Sequence, residues 1–312
     1  MKTCASLLAL LALAAPLAAQ TVVDRDPGPS PETAALEEGD EGWIFGGSVG
    51  VSYDSKEVTY GLIDNKQGIV TPSANLSFGH EDWFTIAVGV EALFDTTRWG
   101  RKEDGGAYND RRWKYKEFDP GITLSRNWKT AHLIGSSLDT SINYTYEYHP
   151  DACKKPWAGF ENANRQLVNF EFSAPDWWLV PTLAIEWQVS RQGEAGDEDG
   201  KGGVYASFDL SHEFDLGAGL GLDEETLLLT PTVGIGMGNR ARNRADFGTT
   251  LGDDGFMLRD GYARIALDWQ PAKGLKIGPY AACWQQLDSN GRKAAEDDDF
   301  VACFGAALTY EF

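Results

Sequence analysis

The sequence predicts an all-β protein, a transmembrane antiparallel up-and-down β-barrel of about twelve strands, and three observations predict it. Apolar side chains recur at every second position from Trp43 to the C-terminus, the period of a strand with one greasy face. The connections between these stretches alternate between tight turns and long polar loops, as in barrels that cross a membrane. Tryptophans gather beside the tight turns, where amphipathic rings meet both lipid and water. Composition agrees: 312 residues with 12% aromatic and 42% hydrophobic residues and 35 glycines exclude collagen, a coiled coil and a helical membrane bundle. With 27 Lys and Arg against 47 Asp and Glu, the net charge of −20 argues against nucleic acid as a partner, because phosphate contacts need basic side chains.

The chain divides into three parts. Residues 1–20 read as a secretory signal peptide: Met1-Lys2, an apolar run from Ala5 to Ala15, then Pro16-Leu17-Ala18-Ala19-Gln20. The run is too short to span a membrane, and Cys4 precedes it, where a lipoprotein cysteine would not stand. Residues 21–42 are acidic and rich in proline, a composition that cannot bury enough apolar surface to fold, and read as a disordered periplasmic leader. Residues 43–312 carry the barrel, with strands expected near 43–54, 68–79, 83–95, 113–127, 131–148, 165–174, 179–190, 203–214, 227–238, 258–269, 275–287 and 300–312. In the third of these Ile86, Val88, Val90, Ala92 and Phe94 alternate with Thr85, Ala87, Gly89 and Glu91. Ten or fourteen strands stay open, because 215–226 and 239–260 divide poorly.

Gly79-His80-Glu81-Asp82, Asn127-Trp128-Lys129-Thr130, Pro175-Asp176 and the stretch from Gln270 to Gly274 are the tight turns, and six long loops lie at the other rim. Only the connection DLGAGLGLDEET blurs the alternation. Short turns belong in the periplasm. Trp83, Trp128, Trp177, Trp178 and Trp269 then form a periplasmic girdle, with Trp99, Trp113 and Trp187 at the opposite rim.

If the apolar set of each strand faces lipid, the other set lines the lumen, and it is acidic. It holds Glu91, Glu117, Asp119, Asp139, Glu147, Glu171, Glu186, Asp209, Glu213, Asp268 and Glu311 against one basic residue, Arg264. A mid-membrane Lys or Arg on the lipid face costs about 2 to 4 kcal/mol, and Asp or Glu somewhat less, so these side chains belong inside. Carboxylates in that number need water or cations around them. The expected function is a porin-like channel for passive diffusion of small hydrophilic solutes, with a preference for cations. The competing arrangement is a lumen closed by inward-folded loops or filled by hydrogen-bonded side chains.

The loops carry less chemistry. Arg240, Arg242 and Arg244 could hold lipopolysaccharide phosphates or an anionic solute, but read first as solvated loop charges. Asp197-Glu198-Asp199-Gly200 and Asp297-Asp298-Asp299 lack the spacing of a calcium loop and keep exposed loops soluble. Cys283 and Cys303 fall opposite one another in the last hairpin. They form a disulfide only if both face inward; if Leu275 and Ile277 face lipid, so does Cys283.

Nothing points to catalysis, a metal or a cofactor. There are four histidines, no GxSxG and no zinc spacing of Cys and His. His212 beside Glu213 reads as an interface histidine. Asp288-Ser289-Asn290-Gly291 resembles the Ser-Asn-Gly of outer-membrane phospholipases, but Leu287 stands where their histidine would activate the serine, so the segment reads as a turn.

The chain ends Ala306-Ala307-Leu308-Thr309-Tyr310-Glu311-Phe312, with Tyr310 and Phe312 at alternate positions. In this it resembles Gram-negative outer-membrane β-barrel proteins, whose last strand is the signal read by the barrel-assembly machinery. The stretch GGSVGVSYDSKEVTYG is similar to that of TorF-like porins, where an early strand runs into a serine, an aromatic residue and an Arg-Gly pair; Tyr60 stands where that arginine would be. The resemblance implies an outer-membrane location and a transport role, with lipid, lipopolysaccharide and small solutes or cations as partners. The alternative function is a non-conducting barrel serving as adhesin, receptor or envelope-structural element through its long loops, and a lipid-modifying enzyme comes third.

Overall fold

The computed structural model describes residues 42–65, 68–80, 82–96, 114–148, 164–191, 202–223, 225–247, 255–294 and 300–312. The expected signal peptide and leader, Trp99, Trp113 and the acidic loop clusters at 197–200 and 297–299 lie outside these residues. The strands are β1 (Trp43–Asp54), β2 (Glu57–Thr59), β3 (Leu62–Asn65), β4 (Ile69–His80), β5 (Thr85–Asp95), β6 (Lys114–Trp128), β7 (Leu138–Glu147), β8 (Arg165–Ser173), β9 (Val180–Arg191), β10 (Val204–Ser211), β11 (Phe214–Asp215), β12 (Leu227–Gly238), β13 (Met257–Ala272), β14 (Leu275–Gln286) and β15 (Phe300–Glu311).

Twelve of these form a closed antiparallel up-and-down barrel. Each pairs with its neighbour in sequence, β10 pairs with β12, and β15 returns to β1 with Val49 opposite Tyr310 and Val51 opposite Leu308. β11 is a two-residue extension of the wall, and β2 and β3 form a separate two-stranded hairpin. Closure leaves no unpaired edge, the condition for a sheet to stand in hydrocarbon.

The alternation sets the two faces. Phe45, Val49, Val51, Leu76, Ile86, Val88, Ile122 and Leu124 are exposed on the outside, while Ser48, Ser73, Asn75, Ser77, Thr123, Ser125, Ser141 and Asn143 occupy the intervening inward positions. Greasy outside and polar inside is the inverse of a water-soluble barrel and fits a wall against lipid. Trp83, Trp128, Trp177, Trp178 and Trp269 are all exposed at the short-turn end. Trp43 joins them, stacked on Phe78 at 5.0 Å and 6.3 Å from Trp83. Trp187 is exposed towards the opposite rim.

Several expectations need correction. The fifth strand does not begin at residue 131: Ala131–Ile134 form a helical turn, ended by Gly135 in the left-handed region, and β7 starts at Leu138. β10 stops at Ser211, so Glu213 is an exposed residue of the connection rather than of the lumen. His212 of the same connection sits in the girdle, its ring 4.9 Å from that of Trp178 and its Nδ1 2.5 Å from the Trp178 carbonyl. Ser289–Ala294 form a short helix, not a turn, with the Asp288 carboxylate accepting from the Gly291 N–H at 3.3 Å. Cys283 is paired with Ala302, and Cys303 with Ala282. Successive residues point to opposite faces, so Cys283 faces out, Cys303 faces in, and they form no disulfide.

Candidate functional site: a polar bore crossed by a hairpin

The interior has two unlike walls. On β1 and β4 to β8 the inward positions of the short-turn half hold small polar groups, among them Ser48, Ser77, Thr123, Ser125, Ser141 and Asn143. Towards the long-loop rim this wall becomes acidic. Glu91 lies directly opposite Asp119, which neighbours Glu117 on the inward face of β6. Glu147 of β7 lies opposite Arg165, with Arg165 Nε 3.8 Å from a carboxylate oxygen. Glu117, Asp119 and Glu147 are buried.

The wall from β10 round to β1 is filled by tyrosines that bridge strands. Tyr262 of β13, Gly234 of β12 and Asp209 of β10 stand in one row, and the Tyr262 hydroxyl donates to the Asp209 carboxylate across the glycine. Tyr280 of β14, Gly305 of β15 and Asp54 of β1 repeat the arrangement. Tyr205 of β10 lies over Gly236 and donates to Asp260 of β13 at 3.1 Å. A Cβ at Gly234, Gly236 or Gly305 would occupy the space of the ring or carboxylate above it. These glycines are therefore fixed by close approach. Arg264 faces inward with its guanidinium 4.3 Å from the Tyr280 ring centroid.

The other expected lumen residues lie on inward positions nearer the short-turn end. Asp139 accepts from Asn127 Nδ2 at 2.6 Å, Glu311 pairs with Lys276 at 3.0 Å, and Asp268 lies across from Gly278. Glu171 stands between Ser141 and Ala184 in the middle of the barrel.

Sequence reasoning misses what fills the long-loop end. The hairpin of β2 and β3 turns into the barrel. Its Val58 packs in a buried cluster with Tyr262, Trp284 and Val301, while Glu57 forms an ion pair with Lys116 of β6. At its tip Tyr60 is 4% exposed and donates to the carboxylate of Glu186 on β9, six strands from β1 in either direction around the barrel. The hairpin therefore reaches from its own strand to the opposite wall. Burial, reinforced by Glu186 against the pull of Arg242, keeps the Tyr60 phenol well above its ordinary pKa, so it serves as a donor.

The helix Arg240–Phe247 closes on the same point and overturns the solvated reading of Arg242. Arg242 is 3% exposed, 3.1 Å from Glu186, 3.0 Å from Asp246, and stacked 4.3 Å from the Tyr60 centroid. Arg259, buried at a bulge between β12 and β13, completes the cluster at 2.5 Å from Asp246. Burial pushes the Asp246 carboxyl up, but Arg242 and Arg259 outweigh it and hold the group below its ordinary range. Two guanidinium groups thus neutralise Glu186 and Asp246 in the mouth of the barrel.

No protein-family model matches the chain, and no curated protein is similar to it in sequence. Among solved structures it is similar to the KdgM porin at 8% identity and a TM-score of 0.41, over 85% of this chain and 99% of that one. It is also similar to an outer-membrane channel from Pseudomonas putida F1 at 9% identity and a TM-score of 0.45, over 90% and 99% of the two chains. The outer-membrane channel DcaP of Acinetobacter baumannii gives 9% identity and a TM-score of 0.37, over 89% of this chain and 100% of that one. At these values none of them bears on the residues of the bore.

Proposed function

We propose that the protein is a channel of the bacterial outer membrane for passive diffusion of small hydrophilic solutes, and that it favours cations. The observation that supports this reading is the inversion of the barrel, apolar outside and polar within. Inside, Asn169 Oδ1, Ser207 Oγ and Thr230 Oγ1 are buried with no hydrogen-bond partner among the described residues. Buried polar oxygens of this kind call for water, so the bore beneath the hairpin is a wet space. Inward carboxylates outnumber inward arginines and lysines on the strands, even after Lys116, Arg165, Arg259, Arg264 and Lys276 are counted. A ring of carboxylates raises the local cation concentration and repels anions.

The test is single-channel recording of the refolded protein in a planar bilayer, with the reversal potential taken across a potassium chloride gradient. Steady openings with a cation-selective reversal are expected. A folded barrel that never conducts, even with the hairpin shortened, would overturn the channel reading. Conduction with an anion-selective reversal would remove the cation preference alone.

A further inference from the structure

We propose that the β2–β3 hairpin is a gate of this channel, latched across the bore by Tyr60; the inference rests on the channel reading and adds a closing element to it. Three observations carry it. Among the described residues the hairpin belongs to no part of the barrel's hydrogen-bond ladder, β2 pairing there with β3 alone, so it can leave the bore without breaking the wall. Its polar fastenings include side-chain bonds to widely separated strands: Glu57 to Lys116, the Tyr60 hydroxyl to Glu186, and Gln286 Nε2 donating to the Tyr60 carbonyl at 3.0 Å.

The third observation is backbone strain at the tip. Tyr60 and Gly61 have φ of 51° and 76°, the conformation of a two-residue turn with both central residues left-handed. Glycine adopts it at no steric cost, and asparagine readily; a bulky aromatic residue there is an outlier. Such strain persists only where surrounding contacts impose it. The contacts are the Glu186 carboxylate, the Tyr205 ring at a centroid distance of 4.0 Å and the Arg242 guanidinium. A turn chosen only to make a hairpin would carry asparagine at this position. Tyrosine is explained by what its ring and hydroxyl grip on the far wall.

The position also makes a test that separates a latch from a structural prop. Tyr60→Asn favours the left-handed turn while removing the ring and hydroxyl, so the hairpin keeps its fold and its other fastenings but loses its grip on Glu186 of the far wall. Cys303, inward and buried against the cluster that holds Val58, reports whether the hairpin is seated. In protein carrying Cys153→Ser and Cys283→Ser, labelling of Cys303 by a membrane-impermeant maleimide is followed with and without Tyr60→Asn. Conductance of the same proteins is recorded in bilayers, and heat-modifiable gel mobility checks the barrel.

Labelling is expected to quicken by about tenfold or more, the factor that one hydrogen bond to a charged group is worth, with a larger conductance step. Unchanged or slower labelling in a folded Tyr60→Asn barrel would overturn the gate, because the better turn would then be the whole effect. Faster labelling with no conductance in any variant would leave the hairpin a movable element and sink the channel instead.

Discussion

The wall formed by β4 to β8 and the wall formed by β10 to β15 obey the same outward alternation and differ only within. On the first, inward positions hold serine, threonine, asparagine and glycine around Asp139 and Glu171, with Glu91, Glu117, Asp119 and Glu147 gathered near the rim. On the second, tyrosines lie flat over glycines and reach carboxylates two strands away. The outside of a barrel answers to lipid and is uniform. The inside answers to no such single rule, so one half can be knitted by tyrosine bridges while the other keeps small polar side chains. Asp209 shows the consequence: an inward carboxylate expected to act on solutes has one oxygen committed to Tyr262.

Glycine substitutions break this comparison most strongly. At Gly234 a Cβ would enter the space of the Tyr262 ring and Asp209, so Gly234→Ala both overpacks the wall and breaks a buried hydrogen bond to a charged group. A loss of about 3 to 5 kcal/mol is expected from these two effects together. At Gly89 the nearest atom to a new Cβ is Asn75 Oδ1 at 3.4 Å, ordinary contact, and Gly89→Ala is expected to be tolerated. Denaturant unfolding of the two variants in detergent micelles, followed by tryptophan fluorescence, checks the contrast. Equal losses would mean that the walls do not differ in rigidity.

The uniform outside predicts a second contrast, between faces rather than walls. Val49 points to lipid near the middle of β1, and its neighbour Ser48 points into the bore. Val49→Lys is expected to cost about 2 to 4 kcal/mol by exposing a charge to hydrocarbon. Ser48→Lys keeps its ammonium in the polar bore and is expected to change stability far less, while altering the reversal potential. The same unfolding measurement reads the first effect, and bilayer recording reads the second.

These contrasts also mark what is legible in the sequence. The period of two, the turn lengths and the tryptophans place β1 and β12 at their observed boundaries, because lipid imposes one rule on every strand. The helical turn at Ala131–Ile134 breaks that rule at an end where Leu133 and Ile134 face out and look like strand residues. The tyrosine bridges are hidden because Tyr280 and Asp54 are 226 residues apart, and only barrel closure brings them together. Arg242 reads as solvated for a related reason: nothing local in its helix records that Glu186, 56 residues earlier on β9, waits for a guanidinium. The strained tip leaves a trace, Tyr60 before Gly61 between two short apolar stretches, yet an aromatic residue is a poor advertisement for a turn.

The smallest expected effect lies at the short-turn end of the barrel, between the β6–β7 and β8–β9 connections. Asp176, in the turn between β8 and β9, accepts from the Ser137 N–H at 2.7 Å and the Ser137 hydroxyl at 2.9 Å, while its own N–H donates to Ser136 Oγ at 3.0 Å. The Ser137 backbone bond, then the hydroxyl, holds this carboxyl below its ordinary value. A carboxylate depressed in the folded state stabilises it above the ordinary value of about 3.9 and ceases to do so as pH falls through the lowered one. Asp176→Asn should therefore lower the thermal midpoint slightly at pH 7, and the gap to the unsubstituted protein should close as the medium is taken below the ordinary carboxylate range. Because Asp176 is fully solvated, high salt should shrink the gap at pH 7 as well. A gap that persists unchanged to acid pH would assign the effect to the shape of the side chain, and the staple between these two turns would then be steric rather than ionic.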